Sequence, residues 1–156
     1  MRTYMPDSPQ AIARVLSLAI LADGGLDVAK LRMLARYDLP KDLQLDNEEF
    51  DRVMLDFCYD LMRCADGDYY SHLLIEREMI ATLLQDIRSP SLQLTLLTTM
   101  VNIADADDML AGGEAVLLTE AMLLWQLDLH HVKLPSHESA LRRIRTAALA
   151  TASRPL

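Results

Sequence analysis

The sequence predicts an all-α fold, an orthogonal bundle of about seven helices joined by short connections. Three observations favour this class. Leu, Ala and Met are abundant, whereas Val, Thr and the aromatic residues that favour strands are few. Apolar residues recur at helical spacing along most of the chain, and no segment shows the alternation typical of strands. With 156 residues, 51% of them hydrophobic, the chain predicts one domain, residues 1–156, with a sizeable core.

The first two predicted helices follow an irregular lead of about ten residues. The first helix covers about residues 10–22 and has one apolar face. That face contains Ile12, Val15, Leu16, Ala19 and Ile20. The run Asp23-Gly24-Gly25 ends this helix, because glycine adopts the left-handed conformation that closes helices. Asp27 then caps a second helix over residues 28–37.

The third and fourth predicted helices have clear apolar stripes. The third opens on Asp46-Asn47-Glu48-Glu49, which resembles a capping box with Asp46 as the cap, and ends near Cys64. Its stripe is Phe50, Val53, Met54, Phe57, Leu61 and Cys64. Ser71 caps a fourth helix that reaches Ile87. Its buried face is Ile80, Leu83, Leu84 and Ile87.

Three more helices complete the bundle. The fifth begins at Pro90, which suits a first helical turn, and runs to about Ala104. Its inward residues are Leu96, Leu97, Met100, Val101 and Ala104. The sixth, residues 113–127, is apolar nearly all round and is therefore expected to be buried on most sides. The seventh, residues 136–152, is capped by Ser136 and presents several arginines outwards.

Charge and composition narrow the classes of function. A net charge of −8 argues against nucleic-acid binding, because phosphate contacts need Lys and Arg, and it suits cations or basic partners. Cys58 and Cys64 lie on one predicted helix and are poorly placed to bridge each other, so a reduced, cytoplasmic setting is expected. The N-terminus lacks a signal-peptide core. No apolar run reaches the about 18–20 residues of a membrane span, so any membrane association would be peripheral, through a membrane partner.

Two acidic turns organise the chain. The first is Ala22-Asp23-Gly24-x-Leu26-Asp27, and the second is Ala106-Asp107-Asp108-x-Leu110-x-x-x-Glu114. Their recurrence in two helical halves predicts an internal duplication of helix-turn-helix pairs. The two turns resemble the TerB-like (tellurite-resistance) family, whose pattern is Ala-Asp-Gly, any residue, an apolar residue, a small cap, two residues and Glu, given twice. The resemblance covers about residues 10–130.

The resemblance implies an all-helical fold, no established enzymatic activity, a link to bacterial stress response and suspected metal binding. Related domains are fused to J-domain co-chaperones. Three positions depart from the family pattern. Lys30 replaces the first Glu, Asp108 replaces the second Gly, and Ala111 replaces the second capping residue. A site that required both glutamates would therefore have only Glu114 here.

The carboxylates of the two turns form the candidate cation site. They are Asp23, Asp105, Asp107, Asp108 and Glu114. Ca²⁺ and Mg²⁺ prefer several oxygen ligands, and pseudo-twofold packing of the halves would bring both turns to one pocket. The alternative is structural, because Asp caps turns and Glu at the third helical position closes a capping box. An EF-hand is excluded, because counting from Asp105 puts Leu110 where Gly is required and Val116 where Glu is required.

A second acidic block lies on the third predicted helix and is the candidate partner-binding surface. Its residues are Asp46, Glu48, Glu49, Asp56 and Asp60. Such a block can dock a basic protein partner, or it can be an ordinary solvated helix face. His130, His131 and His137 do not predict zinc, because adjacent histidine side chains diverge and neither cysteine can complete the site.

The sequence therefore favours a non-enzymatic, TerB-like interaction module of bacterial stress response. No cofactor is certain, and Ca²⁺ or Mg²⁺ at the acidic turns is the candidate. The alternative is a helical metal-dependent hydrolase that uses clustered carboxylates to activate water. Against the alternative, the Glu-x-x-Glu and His-Asp pairs typical of such enzymes are absent from the sequence.

Overall fold

The computed structural model describes residues 1–22, 43, 45–64, 76–105 and 112–132. Within these residues the chain forms five α-helices and no strand, which confirms the all-α prediction. They are α1 (Pro9–Leu21), α2 (Asn47–Cys64), α3 (Arg77–Leu84), α4 (Pro90–Ala104) and α5 (Gly112–Trp125). The second and seventh predicted helices lie outside the described residues, so the count of seven helices and the duplication stay predictions.

Helix α1 lies at the centre of the described bundle. All its residues from Ala11 to Leu21 are buried, and it packs against α2, α3 and α4. Ser8 caps the helix, because its hydroxyl oxygen accepts a hydrogen bond from the Ala11 N–H at 3.2 Å. Pro9 occupies the first turn, where its missing N–H costs nothing. The sequence predicted one apolar face, whereas neighbours cover this helix all round.

Four of the six residues of the predicted inner stripe of α2 are buried. Phe50, Val53, Phe57 and Leu61 are buried against α1 and the rest of the core. Met54 is only half-buried, and Cys64 is exposed. Asp60 is buried instead, at 8% exposure, because Arg2 pairs with its carboxylate. The apolar pattern alone could not show this pairing.

Helix α3 is shorter than predicted, because it begins at Arg77 after the extended residue Glu76, and the predicted cap Ser71 lies outside the described residues. The four predicted core residues of the fourth helix are buried, although the helix itself covers only Arg77–Leu84. Helix α4 begins at Pro90 and ends at Ala104, as predicted. Its buried residues are Leu96, Leu97, Met100, Val101, Ile103 and Ala104.

Helix α5 packs against α3 and α4 and is less enclosed than its composition suggests. Its buried residues are Glu114, Ala115, Leu117, Leu118, Ala121 and Trp125. Trp125 fixes it to α3, because its indole N–H donates to the Leu84 carbonyl at 3.3 Å. Leu123 is 64% exposed and Leu124 is 39% exposed, so the expectation of burial on most sides is only partly right. No helix in the described ranges is long and apolar enough to cross a membrane.

The first eight residues are irregular, as predicted, but they connect distant helices. The Asp7 N–H donates to the Asp86 carbonyl at 2.8 Å, and the Asp7 carboxylate accepts the N–H groups of Arg88 and Ser89 at 2.6 and 3.1 Å. Asp7 has a left-handed backbone, with φ of 59°, which Asp tolerates better than most residues. These bonds join the start of α1 to the turn between α3 and α4.

Candidate functional site

The end of α1 meets the start of α5, which brings together parts of the two acidic turns. Ala22 caps the C-terminus of α1 and is the first residue of the first turn motif. Gly113 lies in the first turn of α5, beside the last residue of the second motif. A Cβ atom on Gly113 would lie 1.7 Å from the Ala22 carbonyl oxygen, so only glycine permits this backbone approach. We call this contact the helix-end junction.

Asp105 lies at the C-terminal cap of α4, on the chain that leads into the second turn. Its N–H donates to the Val101 carbonyl at 3.0 Å. The carbonyl end of a helix carries partial negative charge, which disfavours a carboxylate there by about 0.3–1 kcal/mol. This position puts Asp105 at the entrance to the second turn, one residue before Ala106.

Glu114 is buried in the first turn of α5, with only 2% of its surface exposed. A buried carboxylate is costly unless it is hydrogen-bonded or paired. The N-terminus of a helix lowers that cost through its free N–H groups and its dipole. Glu114 is the third residue of α5, which is also the capping-box position. Its placement therefore fits both interpretations of the acidic turns.

The other three predicted cation ligands, Asp23, Asp107 and Asp108, lie outside the described residues. Among the residues that the structure describes, no group of three or more His, Cys, Asp or Glu side chains could hold a metal ion. A cation site at the helix-end junction would therefore have to combine Asp105 or Glu114 with carboxylates of the turns themselves.

Two of the five predicted partner-binding carboxylates organise the start of α2. Asp46 caps this helix as predicted, because its Oδ1 accepts the Glu49 N–H at 2.7 Å. Glu49 in turn accepts a hydrogen bond from the Gln10 side chain at 2.6 Å, and it pairs with Arg52 at 3.4 Å. These contacts tie the first turn of α2 to α1.

Two further carboxylates of this set bind the N-terminal segment. Asp60 accepts the Arg2 N–H at 2.7 Å and the Arg2 guanidinium at 2.9 Å. Asp56 pairs with the same guanidinium at 3.3 Å, and its backbone carbonyl accepts a hydrogen bond from it at 2.8 Å. The fifth residue, Glu48, is exposed and takes part in none of the ion pairs found within the described part of the chain.

The sequence interpretation missed a buried arginine in α1. The Arg14 side chain is 4% exposed and pairs with the Asp86 carboxylate at 2.5 Å, while its guanidinium carbon lies 4.8 Å from the centre of the Tyr4 ring. It also donates to the Arg2 carbonyl. Burial lowers the pKa of Arg14, and Asp86 opposes that shift. The available signal was a lone charge inside the apolar run from Ala11 to Ile20.

Comparisons with known protein families, with curated proteins and with solved structures find no match for this chain. The TerB-like resemblance therefore depends on the two turn motifs and their helical context alone.

Proposed function

We propose that this protein is a non-enzymatic, TerB-like interaction module of bacterial stress response that binds Ca²⁺ or Mg²⁺ at its acidic turns. The observation that carries the proposal is the helix-end junction between Ala22 and Gly113. This contact supports the expectation from the repeated motif that the two turns lie close together in the fold.

Covalent geometry extends this argument to the carboxylates. Asp23 follows Ala22 directly, and Glu114 follows Gly113 directly. Neighbouring Cα atoms are about 3.8 Å apart, so both acidic residues start within one residue of the junction. Asp105 ends the helix that leads to the second turn. We infer that carboxylate oxygens of both turns lie near the helix-end junction. Oxygen is the donor atom that Ca²⁺ and Mg²⁺ prefer.

Cation binding at this location would have a structural consequence. The junction joins α1, the central helix, to α5. The acidic segment of the second turn connects α4 to α5 in the sequence. A cation held by both turns would neutralise clustered carboxylates and hold these helix ends together. Partner binding could then depend on the cation through the stability of the junction. No feature of the described residues favours the hydrolase alternative.

Isothermal titration calorimetry with Ca²⁺ and Mg²⁺ tests the proposal. We expect the Asp23→Asn and Asp107→Asn variants to bind at least about tenfold more weakly than the unmodified protein, since each loses one charged ligand. The exposed Asp51 on α2 provides the control, and Asp51→Asn should bind as the unmodified protein does. Far-ultraviolet circular dichroism should show the same helix content in all variants. Equal affinities for all variants, or no binding at millimolar cation, would refute the cation site.

A further inference from the structure

Helix α2 has a second apolar face that the core does not use. Opposite its buried stripe lie Leu55, Tyr59 and Met62, which are 60%, 53% and 59% exposed. We call these three residues the outer stripe. Their spacing of four and three residues places them on one side of the helix. A helix at the surface of a domain needs one apolar face to fold, so folding does not account for the second.

The spacing of the outer stripe is typical of a surface that packs against another helix. Alternate steps of four and three residues mark the seam of a two-helix coiled coil. The same steps continue upstream from Leu55 to Arg52 and Glu48. A helix lying along α2 would therefore meet apolar side chains over the last turns and charged side chains over the first. Grooves and faces of this kind recognise amphipathic helices.

The carboxylates around the stripe determine which charge a partner should carry. Arg2 already pairs with Asp56 and Asp60 beside the outer stripe. A partner bound over the stripe would therefore not bury unpaired carboxylates at this position. At the N-terminal end of the stripe, Glu48 and Asp51 are exposed and take part in none of the ion pairs found within the described part of the chain. At this end Glu48 and Asp51 outnumber Arg52, which already pairs with Glu49, so the net negative charge suits Lys or Arg on the partner.

We propose that the outer face of α2 docks an amphipathic helix of a partner protein, with apolar residues against the outer stripe and basic residues against Glu48 and Asp51. This inference depends on the proposed role as an interaction module and specifies its surface and the chemistry of its partner.

A second copy of this chain fits the face less well. In parallel pairing, Glu48 would face its own equivalent across the interface, which places like charges together. In antiparallel pairing about Tyr59, Leu55 would meet Met62, but Glu48 and Asp51 would extend past Cys64, the last residue of the other α2. Each chain also carries a net charge of −8, which opposes self-association.

Fluorescence anisotropy with a synthetic helical peptide tests the docking surface. The probe has Leu at its seam positions and Lys on both flanks, and a second probe carries Glu in place of Lys. We expect the basic probe to bind and the acidic probe to fail. Leu55→Glu should weaken binding of the basic probe at least about tenfold, because it puts a charge at the centre of the contact.

Leu123→Glu is the matched control, because Leu123 is exposed to a similar extent but lies on α5. It should change the affinity by less than about twofold, since substitutions outside a contact are nearly neutral. The double variant Glu48→Gln with Asp51→Asn should weaken binding about threefold to tenfold at low salt, and this difference should shrink as salt is added.

Three results would overturn the docking surface. One is failure of the basic probe to bind, and another is an equal loss of affinity in Leu55→Glu and Leu123→Glu. The third is a dimer in sedimentation velocity that Leu55→Glu dissociates, because it would assign the face to a second copy. Cation titration and probe binding of the unmodified protein separate the two proposals. Intact cation binding with no probe binding would contradict the docking surface alone.

Discussion

At the scale of single residues, Gly113 has the most constrained position. A Cβ atom there would lie 1.7 Å from the carbonyl oxygen of Ala22, which is backbone and cannot rotate away. We expect Gly113→Ala to lower the free energy of unfolding by about 1–3 kcal/mol, the usual cost of overpacking. Urea denaturation followed by circular dichroism measures the change.

Gly112 is the matched control for this substitution, because a Cβ atom there has no neighbour within 4 Å. Gly112→Ala should leave the free energy of unfolding unchanged or raise it by up to about 1 kcal/mol, since alanine restricts the unfolded chain. Equal effects of the two substitutions would contradict the close contact between α1 and α5.

The Arg14–Asp86 pair is the second residue-scale feature with a measurable consequence. Asp86→Ala would leave the Arg14 charge buried without its carboxylate partner. We expect the free energy of unfolding to fall by about 2–4 kcal/mol. This is less than for a fully buried pair, because the Asp86 side chain is 30% exposed. Arg52→Gln breaks a pair in which the arginine is 67% exposed and should cost less than about 1 kcal/mol. Comparable losses would show that Arg14 is not buried as described.

At the scale of elements, local signals predicted the starts of α2 and α4 but not that of α3, which begins at Arg77. Asp46 caps α2 through a 2.7 Å hydrogen bond, whereas Ser89 at the same position of α4 makes no side-chain capping bond. Asp46→Ala should therefore cost about 0.5–2 kcal/mol of unfolding free energy, and Ser89→Ala should stay within about 0.5 kcal/mol. Chemical denaturation of both variants measures the difference. A larger loss for Ser89→Ala than for Asp46→Ala would contradict the assigned caps.

The reactivities of the two cysteine thiols of α2 show which side of this helix packs against the core. Cys64 is exposed, whereas Cys58 is half-buried and burial raises the pKa of its thiol. Cys64 should therefore react first with iodoacetamide at mildly alkaline pH, as measured by mass spectrometry of the single-alanine variants. Faster modification of Cys58 would contradict the orientation of α2.

The same pKa shift gives a pH dependence of stability. A thiol whose pKa is raised in the folded state contributes stability below the pKa of the unfolded thiol, and this is lost as pH rises through the folded pKa. Cys58→Ala should therefore lose less stability than the unmodified protein as the pH rises through that alkaline range. An identical loss in both proteins would contradict the protonated, half-buried thiol.

At the scale of the whole molecule, periodicity and capping predicted the fold class, the bounds of α4 and the core faces of α2 and α3. They failed where residues far apart in sequence make the contact. Arg2 neutralises Asp60 across 58 positions, so no local pattern could show that a predicted docking carboxylate is buried. The convergence of the two acidic turns stays a prediction, because Asp23, Asp107 and Asp108 lie outside the described residues.

The central claim, a cation held at the acidic turns, is tested most directly by thermal unfolding of the metal-stripped protein with and without Ca²⁺ or Mg²⁺. A ligand that binds only the folded state raises its stability, by about 2.7 kcal/mol at a hundredfold excess over the dissociation constant. We predict a higher midpoint with cation, a shift that Asp107→Asn and Glu114→Gln reduce and that Asp51→Asn retains. An unchanged midpoint at millimolar cation, or the same shift in every variant, would contradict the claim and leave the carboxylates as helix caps.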